Sequence, residues 1–496
     1  MLLRELMERA GLPWGETQAA PDTEVTLVTC DSRQVGPGAV FVCIQGGKAD
    51  GHCYAAQAAE KGAAAVVAQH DVGLPCQLLW DDTRFAYARL CAVFHGEPAK
   101  RLKLVAVTGT NGKTTITYLM KHVLEQAGHK VGIIGTVQNE IGSMGLPAKH
   151  TTPDPAELHA LFARMERAGC DYVVLEASSH ALDQQRLAGC WFEAVIFTNL
   201  TQDHLDYHHT MEAYYEAKKK AFSMTDKAVV NFDDPYGKRL AQELQAAGGA
   251  AVSTYSVDST AADYSAQNVR YLSGGVKFAF LGQEKLGRVS FGMPGAYSVS
   301  NALATGACAL ALGLPFDLVM DALSSCEGVR GRMEVLPTGT DFTVIIDYAH
   351  SPDGLEKSLA ALSQVKTGRL VALFGCAGER DRAKRKLMAS AVAKYADFVV
   401  FTSDNPRSED PMQIIEDAMP GFEGYGTPLK VIPDRFEAIL WALQNAQKGD
   451  LLLLAGKGHE DYQVLADCTI YFDEHVIVQE MVDILKKDGK LTPLEE

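Results

Sequence analysis

The sequence predicts an α/β protein built on largely parallel, helix-covered sheets, and three observations carry that expectation. Apolar runs of strand length alternate with helical stretches over residues 100–328 and again after residue 331, the pattern of a parallel sheet covered by helices. A glycine turn joins one such run to a helix start over residues 107–115, Val-Thr-Gly-Thr-Asn-Gly-Lys-Thr-Thr. The length, 496 residues, suits roughly two to four domains. Changes of pattern divide it into 1–98, 99–330 and 331–496. These read as a mixed α/β N-terminal domain, a central P-loop ATPase-like parallel sheet with a small antiparallel insert, and a C-terminal Rossmann-like domain.

The glycine turn sets the chemistry. Residues 104–107 read as a buried strand and residues 114–127 as a helix. Free backbone N–H groups and the helix dipole converge at such a junction and make it an anion site. Gly109, Thr110, Asn111 and Gly112 would cradle phosphates, with Thr115 on the first helical turn. Lys113 would reach the outer phosphates, and the Thr114 hydroxyl is placed to hold magnesium. Val107 stands where the strict motif has glycine, so only the Gly-x-x-Gly-Lys-Thr half is present. A bare half-motif could be a plain turn; the strand–turn–helix context favours a nucleoside triphosphate loop.

Composition narrows the classes. The apolar fraction is 47% and the charged fraction 22%, ordinary for a globular enzyme. A formal charge of −16 argues against nucleic acid and anionic membranes as partners. Eleven scattered cysteines form no C-x-x-C pair, so neither a zinc site nor a disulfide framework is suggested, and a reducing compartment is expected. Residues 1–10 read as a short amphipathic helix rather than a signal peptide, and no apolar run reaches membrane-spanning length.

In the first segment, turn-rich residues 31–38 lead into a strand over 39–44, and a polar glycine loop occupies 45–52. Both loops could be surface punctuation. Ser32 and the backbone of Gly47, Lys48 and Ala49 would suit hydrogen bonding to an extended polar ligand.

In the central segment, strands over 172–176 and 194–198 end in polar clusters, where parallel sheets place ligands. Glu176 closes one strand. A carboxylate beside a phosphate loop is a common magnesium partner, although capping or surface placement would also explain it. Asp203, His204, Asp206 and His208 follow the other strand. That run could be a solvated turn or a zinc cluster, but carboxylates without cysteine favour magnesium. Short alternating strands between about residues 253 and 294 read as the antiparallel insert.

In the third segment, strands over 344–347, 370–374, 398–401 and 451–454 alternate with helices over 384–396 and 475–485. Their strand-end loops hold residues 378–381, 403–407 and 456–460. Arginines at two such ends, Arg380 and Arg407, suggest carboxylate recognition through the planar guanidinium fork, with surface salt bridging as the other explanation.

Seven stretches together resemble one family. They are Thr-Gly-Thr-Asn-Gly-Lys-Thr-Thr (108–115), His-Thr-Thr-Pro-Asp (150–154), Glu-Ala-Ser-Ser-His (176–180), Thr-Asn-Leu-Thr-Gln-Asp-His-Leu-Asp (198–206), Gly-Arg-Met-Glu (331–334), Asp-Tyr-Ala-His-Ser-Pro (347–352) and Gly-Lys-Gly-His-Glu (456–460). The chain is similar along essentially its whole length, in three domains, to the Mur ligases of peptidoglycan synthesis. Asp-Asn-Pro-Arg (404–407) resembles the version that adds meso-diaminopimelate rather than L-lysine.

That resemblance implies a reaction. ATP phosphorylates the D-glutamate carboxylate of UDP-MurNAc-L-Ala-D-Glu, the diaminopimelate amine attacks the acyl phosphate, and ADP and phosphate leave. It implies Mg2+ as cofactor, held by Thr114 and Glu176, with His204 and a carbamylated Lys218 serving a second ion. By composition alone the lysine run 218–220 would be a solvated helix face. Lys113, Glu176, His204 and Lys218 would form the catalytic set. Asn301, Arg332 and Asp347 match positions near adenine and phosphates. Ser32, Gly47, Lys48 and Ala49 would hold the UDP end, making 1–98 a UDP-sugar-binding domain. Thr151, Thr152, Ser178, Gln184 and Arg186 would grip the muramoyl-peptide. Arg380, Asp404, Asn405, Pro406, Arg407, Gly456 and Glu460 would form the diaminopimelate pocket. His150 and Ser298 stand where relatives often carry other polar residues. A cytoplasmic enzyme is expected, a monomer without membrane insertion, closing between its second and third domains. A folylpolyglutamate-type ligase, the ligase of the following dipeptide or a non-catalytic nucleotide-binding protein would be the alternatives.

Overall fold

Residues 39–42 are apolar without alternation, which suits a strand buried on both faces. In the computed structural model, which describes residues 1–47 and 49–491, they form the strand Ala39–Val42, all four residues buried. It pairs in parallel with Leu27–Thr29 and Ala65–Ala68, and Gln77–Leu79 completes a four-stranded parallel sheet. The helix Leu3–Ala10 turns Leu3, Leu6, Met7 and Ala10 inward and stops at Gly11, whose φ of 74° is the left-handed cap favoured by glycine. The helix Thr83–Phe94 packs into the same core through Tyr87, Leu90 and Cys91.

The chain folds into two units, one of residues 1–264 with 304–318 and one of 265–303 with residues from 319 onward. Besides the N-terminal sheet, the first unit holds eight strands of a larger one. Their order is Ala251–Ser256, Lys227–Asn231, Phe192–Phe197, Lys103–Thr108, Tyr172–Glu176, Val131–Ile134, Asn139–Ile141 and Met144–Leu146. The first six pair in parallel and the last two form an antiparallel hairpin on the edge. Lys103–Thr108 lies between strands that both come later in the chain, so its carboxyl end is a topological switch point, where open α/β sheets bind ligands. Glu176 ends the neighbouring strand.

The antiparallel insert begins later than the sequence pattern suggested. Ala251–Ser256 pairs in parallel with Lys227–Asn231. The strand lies inside the sheet, between Tyr264–Leu272 and Lys227–Asn231, and is buried only at its carboxyl end, at Thr254, Tyr255 and Ser256.

In the second unit Gly275–Gly282 and Lys285–Phe291 form an antiparallel ribbon next to Tyr264–Leu272. A six-stranded sheet follows in the order Glu334–Leu336, Thr343–Asp347, Leu451–Ala455, Leu370–Cys376, Phe398–Ser403 and Leu429–Val431. It is parallel except for the first, edge strand. Alternate residues of its strands feed two separate cores: Ala372, Phe374 and Leu453 on one face, Val371, Leu373 and Leu452 on the other. Helices therefore cover both faces, as the doubly wound reading requires. Arg435 and Glu474 pair inside it at 2.7 Å with both side chains fully buried, and Arg435 also donates to the strand-end carbonyls of Ser403 and Ala455. Removing one partner of such a pair costs about 3–5 kcal/mol because the other charge is left buried. Among the described residues no helix is long and apolar enough to cross a membrane.

Candidate active site

The loop after Lys103–Thr108 is held by the strand beside it. Thr110 N donates to Asn199 O at 2.8 Å, Asn111 N to Asn199 Oδ1 at 3.0 Å, and the Thr198 hydroxyl to Asn111 O at 2.6 Å. Contact is so close at Gly109 (φ 142°) that a Cβ there would lie 1.9 Å from Thr198 Oγ1. Gly112 (φ 87°) caps the helix Lys113–Gln126. Lys113 Nζ donates to Gly109 O at 3.0 Å and Thr110 O at 2.8 Å, so its ammonium folds over the loop. Thr115 lies buried on the first turn.

Thr114 and Glu176 come together as the sequence suggested. Thr114 Oγ1 donates to Glu176 Oε1 at 2.9 Å. Thr136 adds its backbone N–H to the same oxygen at 2.9 Å and its hydroxyl to Oε2 at 3.0 Å. Glu176 is 1% exposed, and Gly135 leaves room for it, since a Cβ there would meet Oε1 at 2.5 Å. Sequence reading passed over Thr136; its place just past the end of Val131–Ile134 was the available signal.

Next to Glu176 lies a second cluster. Thr152 Oγ1 donates to Glu176 O at 2.6 Å and lies 3.1 Å from Ser178 Oγ. Arg186 donates to Thr152 O and Gln184 Oε1, and the Thr151 and Thr136 hydroxyls are 3.0 Å apart. Gln184 in turn donates to Tyr207 OH at 3.2 Å.

The lysine run divides. Lys219 and Lys220 pair with Glu243 and Asp183 at the surface, as a solvated face would. Lys218 does not: it is 1% exposed, donates to Gly109 O at 2.8 Å and lies 4.6 Å from the Tyr214 ring centroid. Burial, followed by the charge of Lys113, holds its amine well below the usual lysine value. His204 adopts φ 52° and packs edge-on against His180, centroids 5.0 Å apart, and against Tyr214. His208 instead turns inward to Ser179 Oγ at 2.9 Å, so the residues of 203–208 point to different partners.

In the first segment Ser32 is half-buried and its carbonyl accepts from Lys61 Nζ at 2.7 Å. Gly47 and Ala49 lie exposed on their loop. Lys48 lies outside the described residues.

The second unit has its own site, built where three strand ends meet. Asp347 is buried, and accepts from Met333 N, Tyr348 N and the Ser358 hydroxyl. Burial pushes its carboxyl up, against those hydrogen bonds and the Arg332 charge. Arg332 lies over the Tyr348 ring at 4.7 Å. Gly331 (φ 68°) abuts the Gly458–His459 backbone so closely that a Cβ would lie 2.2 Å from His459 N. Asn301 is half-buried on the helix Ala296–Ala311.

Asp404, Asn405, Pro406 and Gly456 are buried beside one another, a Gly456 Cβ being only 2.9 Å from Asp404 Oδ2. Asn405 Nδ2 donates to Glu460 Oε2 at 3.0 Å. Arg407, at φ 53°, donates to Gly378 O at 2.5 Å, while Arg380 is exposed on the facing loop. Arg385 and Glu409, absent from the sequence-based set, strap these loops: buried Arg385 donates to both Glu409 oxygens at 2.9 Å.

Residues 107–309 match the Mur ligase middle domain, residues 331–458 the Mur ligase glutamate ligase domain, and residues 24–77 the Mur ligase family catalytic domain. The chain is 43% identical over 472 residues, 94% of it and 96% of the relative, to UDP-N-acetylmuramoyl-L-alanyl-D-glutamate–2,6-diaminopimelate ligase of Caldanaerobacter subterraneus subsp. tengcongensis. Identity to the ligase of the same name from Geobacillus thermodenitrificans is 41%, over 97% of this chain and 99% of that one. A solved structure with the same ligase title aligns with TM-score 0.73 at 33% identity, covering 98% of this chain and 99% of the other. Matched by family models over most of its length and by full-length relatives at this identity, the chain belongs to the Mur ligase family.

Proposed function

We infer that this chain is an ATP-dependent, ADP-forming ligase that joins meso-diaminopimelate to the D-glutamate carboxylate of UDP-MurNAc-L-Ala-D-Glu. The observation that carries this reading is the pairing of full-length similarity to diaminopimelate ligases with an Asp-Asn-Pro-Arg loop set against Glu460 in the second unit. We propose three functional segments: 1–98 for the UDP end, 99–330 for ATP and 331–496 for the amino acid. Eleven free cysteines fit a reducing, cytoplasmic setting, and a monomer is the form we propose.

The reaction needs two anions, the γ-phosphate and the acceptor carboxylate, to approach each other. Lys113 screens that repulsion, and the backbone N–H groups at the start of Lys113–Gln126 hold the phosphates. Transfer forms the acyl phosphate and releases ADP; the amine then adds to the carbonyl carbon and inorganic phosphate leaves. Thr114 and Glu176 supply hard oxygen donors within 2.9 Å of each other, which suits Mg2+, and they would hold one ion, with His204 on a second. When bound, Mg2+ would neutralise charge on the transferring phosphoryl group. Lys218, buried with Lys113 on a shared acceptor, is the residue we assign as a carbamate: that change would replace a like charge by an opposite one.

Thr151, Thr152, Ser178, Gln184 and Arg186 would orient the muramoyl-peptide, and Asn301, Arg332 and Asp347 would serve ATP. Arg380 and Arg407 would meet the distal carboxylate of diaminopimelate. The test is phosphate release with ATP, Mg2+ and UDP-MurNAc-L-Ala-D-Glu, comparing meso-diaminopimelate with L-lysine. Release driven by diaminopimelate supports the reading; release with lysine alone, or with neither from folded, ATP-binding protein, overturns it.

A further inference from the structure

The turn after Leu451–Ala455 contains a lysine that the ligand set leaves out. Lys457 is 0% exposed. Its Nζ lies 2.7 Å from Tyr462 O, 3.1 Å from Asn405 Oδ1 and 3.3 Å from Glu460 Oε2. Three oxygen acceptors require three N–H donors, so the group is an ammonium. A lone buried ammonium is strongly unfavourable, and here Glu460 and, at 3.9 Å, Asp404 compensate it.

The geometry does more than balance charge. Asn405 Oδ1 accepts from both Lys457 and Val464 N, the latter at 2.9 Å. A side-chain amide with its oxygen so engaged must turn its nitrogen the other way. Asn405 Nδ2 then reaches Glu460 Oε2, which receives Lys457 as well. One buried cation thus joins the Val464 N–H in orienting the Asn405 amide and, with Asn405 Nδ2, fixes the Glu460 carboxylate. Without it, Asp404 and Glu460 would leave this end of the unit more negative, which disfavours a ligand carboxylate and favours an ammonium.

We propose that Lys457 is a positioning residue that sets amino-acid selectivity, orienting Asn405 and Glu460 and supplying the positive charge that lets the pocket take a zwitterionic distal end instead of a bare amine. This rests on the diaminopimelate reading above.

The test uses the full chain and its Lys457→Met variant, with kcat and KM measured for meso-diaminopimelate, L-lysine and ATP. Wild-type turnover of diaminopimelate checks the underlying reading by itself. In the variant, the diaminopimelate-to-lysine ratio of kcat/KM is expected to fall roughly tenfold or more, with KM for diaminopimelate raised and KM for ATP within about twofold. A purely structural role would lower both amino acids together and leave the ratio unchanged, and that result overturns the proposal while sparing the reading. Should Lys457→Met fail to fold, Lys457→Gln retains hydrogen-bond donors without the charge. The same fall in ratio is expected, and an unchanged ratio again overturns the proposal.

Discussion

Lys113 and Lys218, 105 positions apart in the chain, donate to one acceptor: the carbonyl oxygen of Gly109 receives Nζ of the first at 3.0 Å and of the second at 2.8 Å. Two ammonium groups on one carbonyl oppose each other, and Lys218 is also shut off from water. Such an arrangement is unfavourable unless one group changes its charge, which is what a carbamate would do.

Lys218→Ala is therefore expected to lower kcat roughly a hundredfold while ATP affinity changes only a few-fold. Millimolar formate, a carboxylate small enough for the vacated space, should restore part of the rate. Wild-type kcat in this variant would remove Lys218 from the catalytic set.

Arg407→Ala is expected to raise KM for diaminopimelate about ten- to a hundredfold, the equivalent of one charge-assisted hydrogen bond of about 1.5–3 kcal/mol. KM for ATP should stay near the wild-type value. Because Arg407 also donates to Gly378 O, Arg407→Lys separates charge from the planar fork and should recover only part of the loss. Equal KM for diaminopimelate in all three proteins would end the carboxylate-recognition argument.

Gly109→Ala should weaken ATP binding at least tenfold and cost about 1–3 kcal/mol of stability, because the new Cβ would lie 1.9 Å from Thr198 Oγ1 at a φ of 142°. Adding Thr198→Ala should return only part of that stability, since the φ penalty and the Asn199 backbone, 3.0 Å away, remain. Denaturant titration of the two variants measures the difference; full recovery would show that the hydroxyl clash was the whole effect.

His159 gives a pH dependence. It is 1% exposed, both ring nitrogens are buried without a hydrogen-bond partner among the described residues, and the Phe162 ring meets it edge-on at 5.6 Å. Burial, aided by His95 and Arg89, pushes it down to about 3. The unfolded chain therefore takes up this proton more readily than the folded one. Stability is fully present above about pH 6.5 and falls as pH drops toward 3, by up to about 1.4 kcal/mol per unit. His159→Phe should flatten that slope in urea denaturation at pH 7 and pH 5. An equal loss in variant and wild type would place the acid sensitivity elsewhere.

The alternation of strands and helices was legible in the chain because period and glycine punctuation are local properties. So was the strand–turn–helix unit over residues 103–126, whose parts are contiguous, and the closeness of Thr114 to Glu176, since the helix start and the neighbouring strand end lie at the same edge of one parallel sheet. The boundary of the antiparallel insert was not, because residue types along Ala251–Ser256 do not tell which way a hydrogen-bonded neighbour runs; that is set by pairing with Lys227–Asn231, distant in the chain. Composition could not separate Lys218 from Lys219 and Lys220, since only the fold decides which face of a helix is buried.

By itself the sequence determined the class of fold, the family resemblance and the residue types available for phosphate and carboxylate chemistry. Tertiary structure alone decided that Thr136 braces Glu176, that Lys218 shares an acceptor with Lys113, and that Lys457 orients Asn405 and Glu460. The physical reason is common to all three. A buried charge or hydroxyl acquires its role from partners that lie far off in the chain and close by in space. Desolvation makes those few contacts count.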